Sequence, residues 1–300
     1  MDNLIKKISE KHNVLKRLLR ENQNRKVLFG FLKTELAYTS NAIEGNTLSR
    51  RETELAINED LTNGTKPIKD YIEARNHADA YDFIIDALGK KAPAAEKFIL
   101  EIHARILSGI DRESAGFYRR VRVRISGSQV VLSNPLKVPD LMTEFGAWLQ
   151  TDKTAEPLKS IMAHVKLVSI HPFIDGNGRT ARLLMNYMLL AADYAPIIIR
   201  PIDRKRYLGA IESLQSGQPA EKYIKFMLSA LSRSLAIAID LLTKDAPDTK
   251  KLMTIAKFAK LSGLPVSTIR YWVGIKKLQP AGYSRNGYML FDPKQVKEIK

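Results

Sequence analysis

Apolar residues recur along most of this chain at the three-to-four-residue spacing of an amphipathic helix. Residues 1–36 read as one or two such helices, and 71–88, 96–109, 139–152, 157–170 and 220–242 as one each. The spacing fails over residues 120–135, RVRVRISGSQVVLSNP, which alternate, are rich in β-branched residues and are broken by Ser-Gly-Ser. That pattern predicts a short β-hairpin. A lone hairpin in a helical chain suits either a functional flap or a plain surface excursion. The helical pattern stops near Leu242, and the polar stretch 243–251, with Pro247 inside it, reads as a linker.

Composition sharpens that boundary. Residues 250–300 hold eleven Lys or Arg against only Asp292 and Glu298, so +9 of the total net charge of +16 sits in about a sixth of the chain. A polyanionic partner such as nucleic acid would account for it, and so would a solubilising lysine-rich surface. Within this part, TIAKFAKLSG reads as a helix ending at Gly263, PVSTIRYWVGIKK as a second helix opening at Pro265 and Ser267, and Asn286-Gly287 as a hairpin turn. The chain is 45% hydrophobic, enough for a sizeable core. No run reaches eighteen apolar residues, and the charged N-terminus lacks the features of a signal peptide, so the expectation is a protein with no membrane partner. The absence of cysteine excludes disulfides, thiolate-bound zinc and a cysteine nucleophile, and is compatible with a cytoplasmic location.

The chemistry concentrates in HPFIDGNGRTAR, residues 171–182. An apolar helix ends at Ile170, and Pro172 disfavours helical geometry for His171. His171 is therefore presented at a helix-to-loop junction. Gly176-Asn177-Gly178 allows a sharp turn with converging N–H groups, and the helix that follows offers its positive end to an anion. Arg179 and Arg182 share a face of that helix, and two arginines with backbone donors suit a polyphosphate. Asp175 in such a site calls for a cation, and Mg²⁺ bridging phosphate oxygens is the natural one. A base, a magnesium ligand, an amide cradle and two arginines fit attack of a hydroxyl on a phosphate. A phosphate-binding P-loop and the kinase signatures are absent.

This run resembles the signature of the Fic family, HPFx(D/E)GNGRxxR, at every defining position. Gly116-Phe117-Tyr118-Arg119 resembles a family motif ahead of the hairpin, and SGSQVVLSNP resembles the flap that pins the target segment. Asp203-Arg204 and Tyr207 resemble the region lining the nucleotide base, where Gln215 replaces a frequent Asn. The resemblance spans roughly residues 30–240. It implies AMP transfer from ATP to a Ser, Thr or Tyr hydroxyl of a target protein, the chain itself being a candidate target. By this resemblance His171 is the base, Asp175 binds Mg²⁺, and Gly176, Asn177, Gly178 and Thr180 belong to the phosphate site. Arg179 and Arg182 hold the phosphate tail, and Tyr207 contacts the nucleotide.

Upstream, Thr-Ser-Asn-Ala-Ile-Glu-Gly-Asn (39–46) follows an amphipathic helix and ends on Gly45, a good helix stop. Ser40 and Glu44 share a helix face. The stretch resembles the inhibitory motif (S/T)xxxE(G/N) of some Fic proteins, in which the glutamate pairs with the second signature arginine, here Arg182. That resemblance implies a built-in brake, and in some relatives the same glutamate supports removal of AMP. The basic C-terminal part resembles MerR-type winged helices through Thr268-Ile269-Arg270-Tyr271-Trp272, Pro280, Gly287-Tyr288 and Phe291, with Met289 in place of the usual wing arginine. It implies DNA binding through Thr268, Arg270, Tyr271, Lys276 and Arg285, with a homodimer formed by the Fic part strengthening it.

The expected fold is mainly α, a Fic helical core with a small β-hairpin flap and a C-terminal winged helix-turn-helix. The expected boundaries are residues 1–95 for an N-terminal helical region carrying the inhibitory motif, 96–242 for the catalytic core, 243–251 for the linker and 252–300 for the winged helix. A rival function is a DNA-binding regulator whose Fic domain senses ATP. Of the remaining histidines, His164 lies seven residues before His171, but no third zinc ligand is suitably spaced, so it reads as a packed helix residue. His103, Phe145 and Trp148 read as core.

Overall fold

A computed structural model describes residues 1–58, 66–125, 127–128, 130–243, 252–275, 277–283 and 289–296. The linker reading therefore falls almost entirely outside the described residues. The chain divides into two compact units, one of Met1–Glu21 with Leu32–Ile239, the other of Asn22–Phe31 with Asp240–Lys300.

The first unit is helical. Its elements are α1 (Asp2–Leu18), α2 (Asn22–Glu44, shared with the second unit), α3 (Arg50–Asn58), α4 (Ile68–Gly89), α5 (Glu96–Ile106), α6 (Val138–Thr151), α7 (Leu158–Ile170), α8 (Asn177–Ala191), α9 (Arg204–Gln215) and α10 (Glu221–Thr243, also shared). The centre is α8, packed against α7 and also against α4 and α5. Almost every α8 residue is buried, including Asn177, Arg179, Thr180, Arg182 and Asn186 beside Leu183, Leu184 and Leu189. A helix enclosed on all sides must give each polar side chain a partner, and this requirement builds the site described below. By length and composition α10 is apolar enough to cross a membrane. Its apolar face is accounted for inside this unit, where Tyr223, Met227, Leu231 and Leu235 are all buried.

The long helices coincide with the predicted ones, and α2 runs on to Glu44. Its stop at Gly45 is left-handed, with φ 100°. The expected hairpin is not there: among the described residues, 120–134 contain no paired strand, and Ser126 and Gln129 of its turn lie outside them. The alternation survives as alternating exposure, with Arg122 and Arg124 exposed and Val123 and Ile125 half-buried. What holds the excursion is side chains. Arg119 donates from Nη2 to the Ser133 carbonyl at 2.7 Å, and Ser128 Oγ donates to Glu212 Oε1 at 2.7 Å. An isolated two-stranded ribbon is marginal in water, so alternation by itself does not make a ladder.

The second unit contains β1 (Met253–Thr254), α11 (Ile255–Ser262), α12 (Val266–Gly274), β2 (Gly282–Tyr283) and β3 (Met289–Phe291). The strands form an antiparallel sheet in the order β1-β3-β2. Phe258, Ile269, Leu278, Phe291 and Val296 make its core. Thr254 caps α11, and Gly263, at φ 75°, ends it.

Candidate active site

The loop between α7 and α8 is fixed from both ends. His171 caps α7 in the left-handed region, φ 52° and ψ 59°, an unfavourable conformation for a residue with a Cβ. Its surroundings hold it there. The His171 N–H donates to Leu167 at 3.0 Å, and Arg119 Nε donates to the His171 carbonyl at 2.8 Å. The Arg119 N–H adds a bond to the Pro172 carbonyl at 2.9 Å. Arg119 is only 2% exposed and spends its guanidinium on three backbone carbonyls: His171, Val121 and Ser133.

Asn177 closes the loop. Its Oδ1 accepts from the Phe173 N–H and its Nδ2 donates to the Phe173 carbonyl, each at 2.9 Å. Its side chain is thus a staple, and its contribution to any anion site is the backbone N–H. His103 supports the same loop from α5, stacked on Phe173 with ring centroids 3.6 Å apart. The Gly116 N–H donates to His103 Nδ1 at 3.0 Å, which puts the ring proton on Nε2, facing the Asp175 carbonyl at 3.0 Å. Burial first of all lowers the His103 pKa to about 4, so this neutral tautomer persists at pH 7. Gly176 is left-handed, φ 76°, and a Cβ there would lie 3.2 Å from Ile106 and 3.3 Å from His103.

Burial also lowers the pKa of His171. The Val168 carbonyl opposes this and Arg119 reinforces it. Although Val168 acts on the ring electrostatically, the buried Nδ1 makes no hydrogen bond of ordinary geometry among the described residues. The imidazole is therefore neutral at pH 7 and able to accept a proton. Asp175 points to solvent, its side chain 55% exposed. Partial burial raises its pKa, but Arg179 and the Gly176 N–H outweigh that and keep it below the ordinary value. The Gly176 N–H reaches Oδ1 at 2.6 Å.

The two signature arginines are buried, and carboxylates hold both. Arg179, its side chain 3% exposed, meets Glu73 Oε1 and Asp175 Oδ2, each at 3.2 Å. Glu73 comes from α4, and Asn46 Nδ2 donates to it at 2.9 Å. Arg182 donates from Nε to Ser40 Oγ at 2.8 Å, and from Nη2 to the Ser40 carbonyl at 3.0 Å and Glu44 Oε1 at 2.5 Å. Glu44 also lies against the start of α8, since a Cβ on Gly178 would fall 2.5 Å from its Oε1. A carboxylate thus occupies the amide end of the helix, where the dipole and the first-turn N–H groups favour an anion. The structure brings Ser40, Glu44 and Arg182 together, with Gly45 stopping the helix immediately behind them.

Behind Arg182 runs a directional relay. Tyr223 donates to the Ile161 carbonyl at 3.0 Å, so its oxygen accepts from His164 Nδ1 at 2.7 Å. His164 Nε2 must then accept from Tyr207 at 2.8 Å, leaving the Tyr207 oxygen to receive Arg182 Nη1 at 3.4 Å. Burial lowers the His164 pKa to about 3, so the ring stays neutral. This corrects the expectation for Tyr207. At 1% exposure it faces the core rather than a ligand, and acts on the site only through Arg182. Asp203 is likewise enclosed, held by Arg200 at 2.8 Å and Arg233 at 3.1 Å, and does not line a base pocket. Thr180 is fully buried, and its hydroxyl has no hydrogen-bond partner among the described residues.

Sequence reading missed Glu73, gave Asn46 no role of its own, and set Arg204 by likeness beside the nucleotide base. Arg204 Nε donates to the Ile43 carbonyl at 2.6 Å, one residue before Glu44, and so grips the end of α2. Asp70 secures the next residues, accepting from the Thr47 N–H at 2.9 Å and its hydroxyl at 2.6 Å. In the second unit, Thr268, Arg270 and Tyr271 lie on α12, and Arg270 and Tyr271 are exposed. Lys276 and Arg285 lie outside the described residues.

Residues 93–189 match the model of the Fic/DOC family, and residues 254–291 that of the MerR family regulatory proteins. The chain is 34% identical over 201 residues to a protein of Drosophila yakuba named protein adenylyltransferase Fic, covering 66% of this chain and 40% of that one. The match to its Culex quinquefasciatus counterpart is 34% over 202 residues, with the same coverage. The chain thus spans about two fifths of the length of the curated relatives it matches. Among solved structures, Fic-1 of C. elegans (residues 134–508) superposes with a TM-score of 0.71 at 26% identity, over 79% of this chain and 72% of that one. A Fic domain containing signaling protein from Bacteroides thetaiotaomicron gives 0.70 at 29% identity, over 79% and 96%. Signature, loop geometry and likeness agree on residues 93–189 as the stretch that matches the Fic/DOC family.

Proposed function

We propose that the chain is a protein adenylyltransferase held in an inhibited state by Glu44. The observation that carries this reading is a neutral His171 beside an anion cradle whose second arginine, Arg182, is engaged by a carboxylate. The name borne by its relatives supports it. In the proposed reaction a target Ser, Thr or Tyr hydroxyl gives its proton to His171 as its oxygen attacks the α-phosphorus of ATP. The bond from that phosphorus to the bridging oxygen breaks, and pyrophosphate leaves. The orphan N–H groups of the first turn of α8 take phosphate oxygens, with Arg179 and Arg182 neutralising the tail. In the present arrangement Glu44 fills the end of the cradle and occupies Arg182, so a bound triphosphate would be misaligned for in-line attack. Asp175 is the residue that would hold Mg²⁺: it is ionised, half-exposed and next to the cradle. Among the described residues no three His, Asp or Glu side chains converge on a metal, which suits an ion that phosphate oxygens and water help to coordinate. When bound, the ion would offset phosphate charge.

The rival, an ATP sensor, needs the cradle but no base. In a Glu44→Gly background, His171→Ala is expected to lower AMP incorporation by roughly 100-fold or more, the usual contribution of a general base, with ATP affinity unchanged. Incorporation that survives His171→Ala would contradict enzymatic transfer.

For the second unit we propose a winged helix-turn-helix that binds DNA. The observation favouring it is the exposed Arg270 and Tyr271 on α12, inside the segment matching the MerR model. Retardation of duplex DNA by the full chain should weaken steeply with salt, and Arg270→Ala should reduce it. Equal retardation by wild type and variant would argue against α12 as the reading helix.

A further inference from the structure

The first arm of the flap carries charge that the loop chemistry does not use. Residues 117–137 hold five basic residues and no acidic one. Arg119 is spent in the interior, but Arg120, Arg122 and Arg124 are all exposed. Beyond a bend at Val121 the two-residue spacing puts Arg122 and Arg124 on one side of the chain, about 7 Å apart along it, with Arg120 just ahead of the bend. Among the described residues none of the three pairs with a carboxylate, and the N–H groups of residues 120–125 make no hydrogen bond. The arm is therefore an unpaired edge with a single-sign row of charge. It also starts at the base: Arg119, the residue before it, bonds to the carbonyls of both His171 and Pro172.

We propose that this arm selects targets, pairing with an extended segment that carries Asp or Glu at alternate positions next to the acceptor hydroxyl. The inference rests on the reading of the 171–182 loop as an AMP-transfer site. An added strand supplies backbone bonds to the open edge, while side chains at alternate positions supply specificity. Carboxylates two residues apart would face Arg122 and Arg124 in register, with Arg120 adding positive charge at the bend, and like charges directly opposite would be disfavoured. The same row would repel a basic segment, so the arm also discriminates by exclusion.

The test uses the full chain with Glu44→Gly and three synthetic peptides of one length. Each has a central Thr, with Glu, Gln or Lys at alternate positions on both sides. The Glu peptide is expected to be modified with a kcat/KM roughly tenfold above the Gln peptide, as two cross-strand charge pairs would give, with the Lys peptide lowest. A peptide that is not modified is scored by its inhibition of self-modification. The triple variant Arg120→Glu, Arg122→Glu, Arg124→Glu should reverse the order, with its ATP affinity by calorimetry unchanged. Equal values for the three peptides, or an order that the triple variant keeps, overturns the proposal. So does a single-stranded oligonucleotide that blocks self-modification more strongly than the Glu peptide does. If nothing is labelled, self-modification included, while ATP still binds, the AMP-transfer reading itself falls, and this inference with it.

Discussion

The signature loop and the flap beside it are neighbours built in opposite ways. In the loop the anchoring groups are committed: Asn177 staples Phe173, His103 braces Asp175, and carboxylates hold both arginines. The flap has one buried anchor, Arg119, and beyond it an arm with open N–H groups and exposed arginines. The difference follows from what each would have to bind. Aligning a triphosphate demands donors fixed in advance, because small misplacements are costly. An arm that accepts a protein segment gains its order from the partner, and unpaired backbone is what it offers.

Arg119 joins the two regions, and removing it should disturb both. Arg119→Met leaves the half-buried carbonyls of His171 and Ser133 without a donor, which is expected to cost about 1–3 kcal/mol of stability. Urea unfolding checks this, and AMP transfer by the Glu44→Gly form should fall with it as His171 loses its seat. Unchanged stability and transfer would separate flap from loop.

Acidification should affect the loop alone. The competent form of His171 is neutral, and its pKa is lowered first of all by burial. The rate should therefore be level at and above pH 7 and fall about tenfold per pH unit only below a midpoint under the ordinary ~6.5. Loss of Glu44 removes a charge that raises this pKa, so the Glu44→Gly form should not shift the midpoint upward. A kcat/KM profile with its midpoint at or above 7 would mean that burial does not set the state of the base.

The loop was legible in the sequence because its parts are contiguous: Pro172, the glycine turn and the two arginines declare their geometry within twelve residues. The pairing of Arg182 with Glu44 was legible only through likeness to relatives, since no spacing rule links positions 138 residues apart. Glu73 carried no such signal and Asn46 none for this contact, and likeness set Arg204 near the base rather than on the Ile43 carbonyl, where the packing of α9 on α2 brings it. Tyr207 was misplaced because helical spacing does not say which way a ring turns, and here it turns inward to His164. The alternation at 120–125 survives only over 122–125, as exposed arginines alternating with half-buried Val123 and Ile125, and it did not say whether a second strand pairs with it.

The account's central claim is that Glu44 withholds Arg182 from ATP. Incorporation of labelled AMP into the chain itself and into cell lysate, compared between wild type and Glu44→Gly at equal concentration, tests this most directly. The predicted result is a rise of roughly 100-fold, the scale expected when a misaligned phosphate becomes aligned. Equal, low incorporation by the two proteins would contradict the claim.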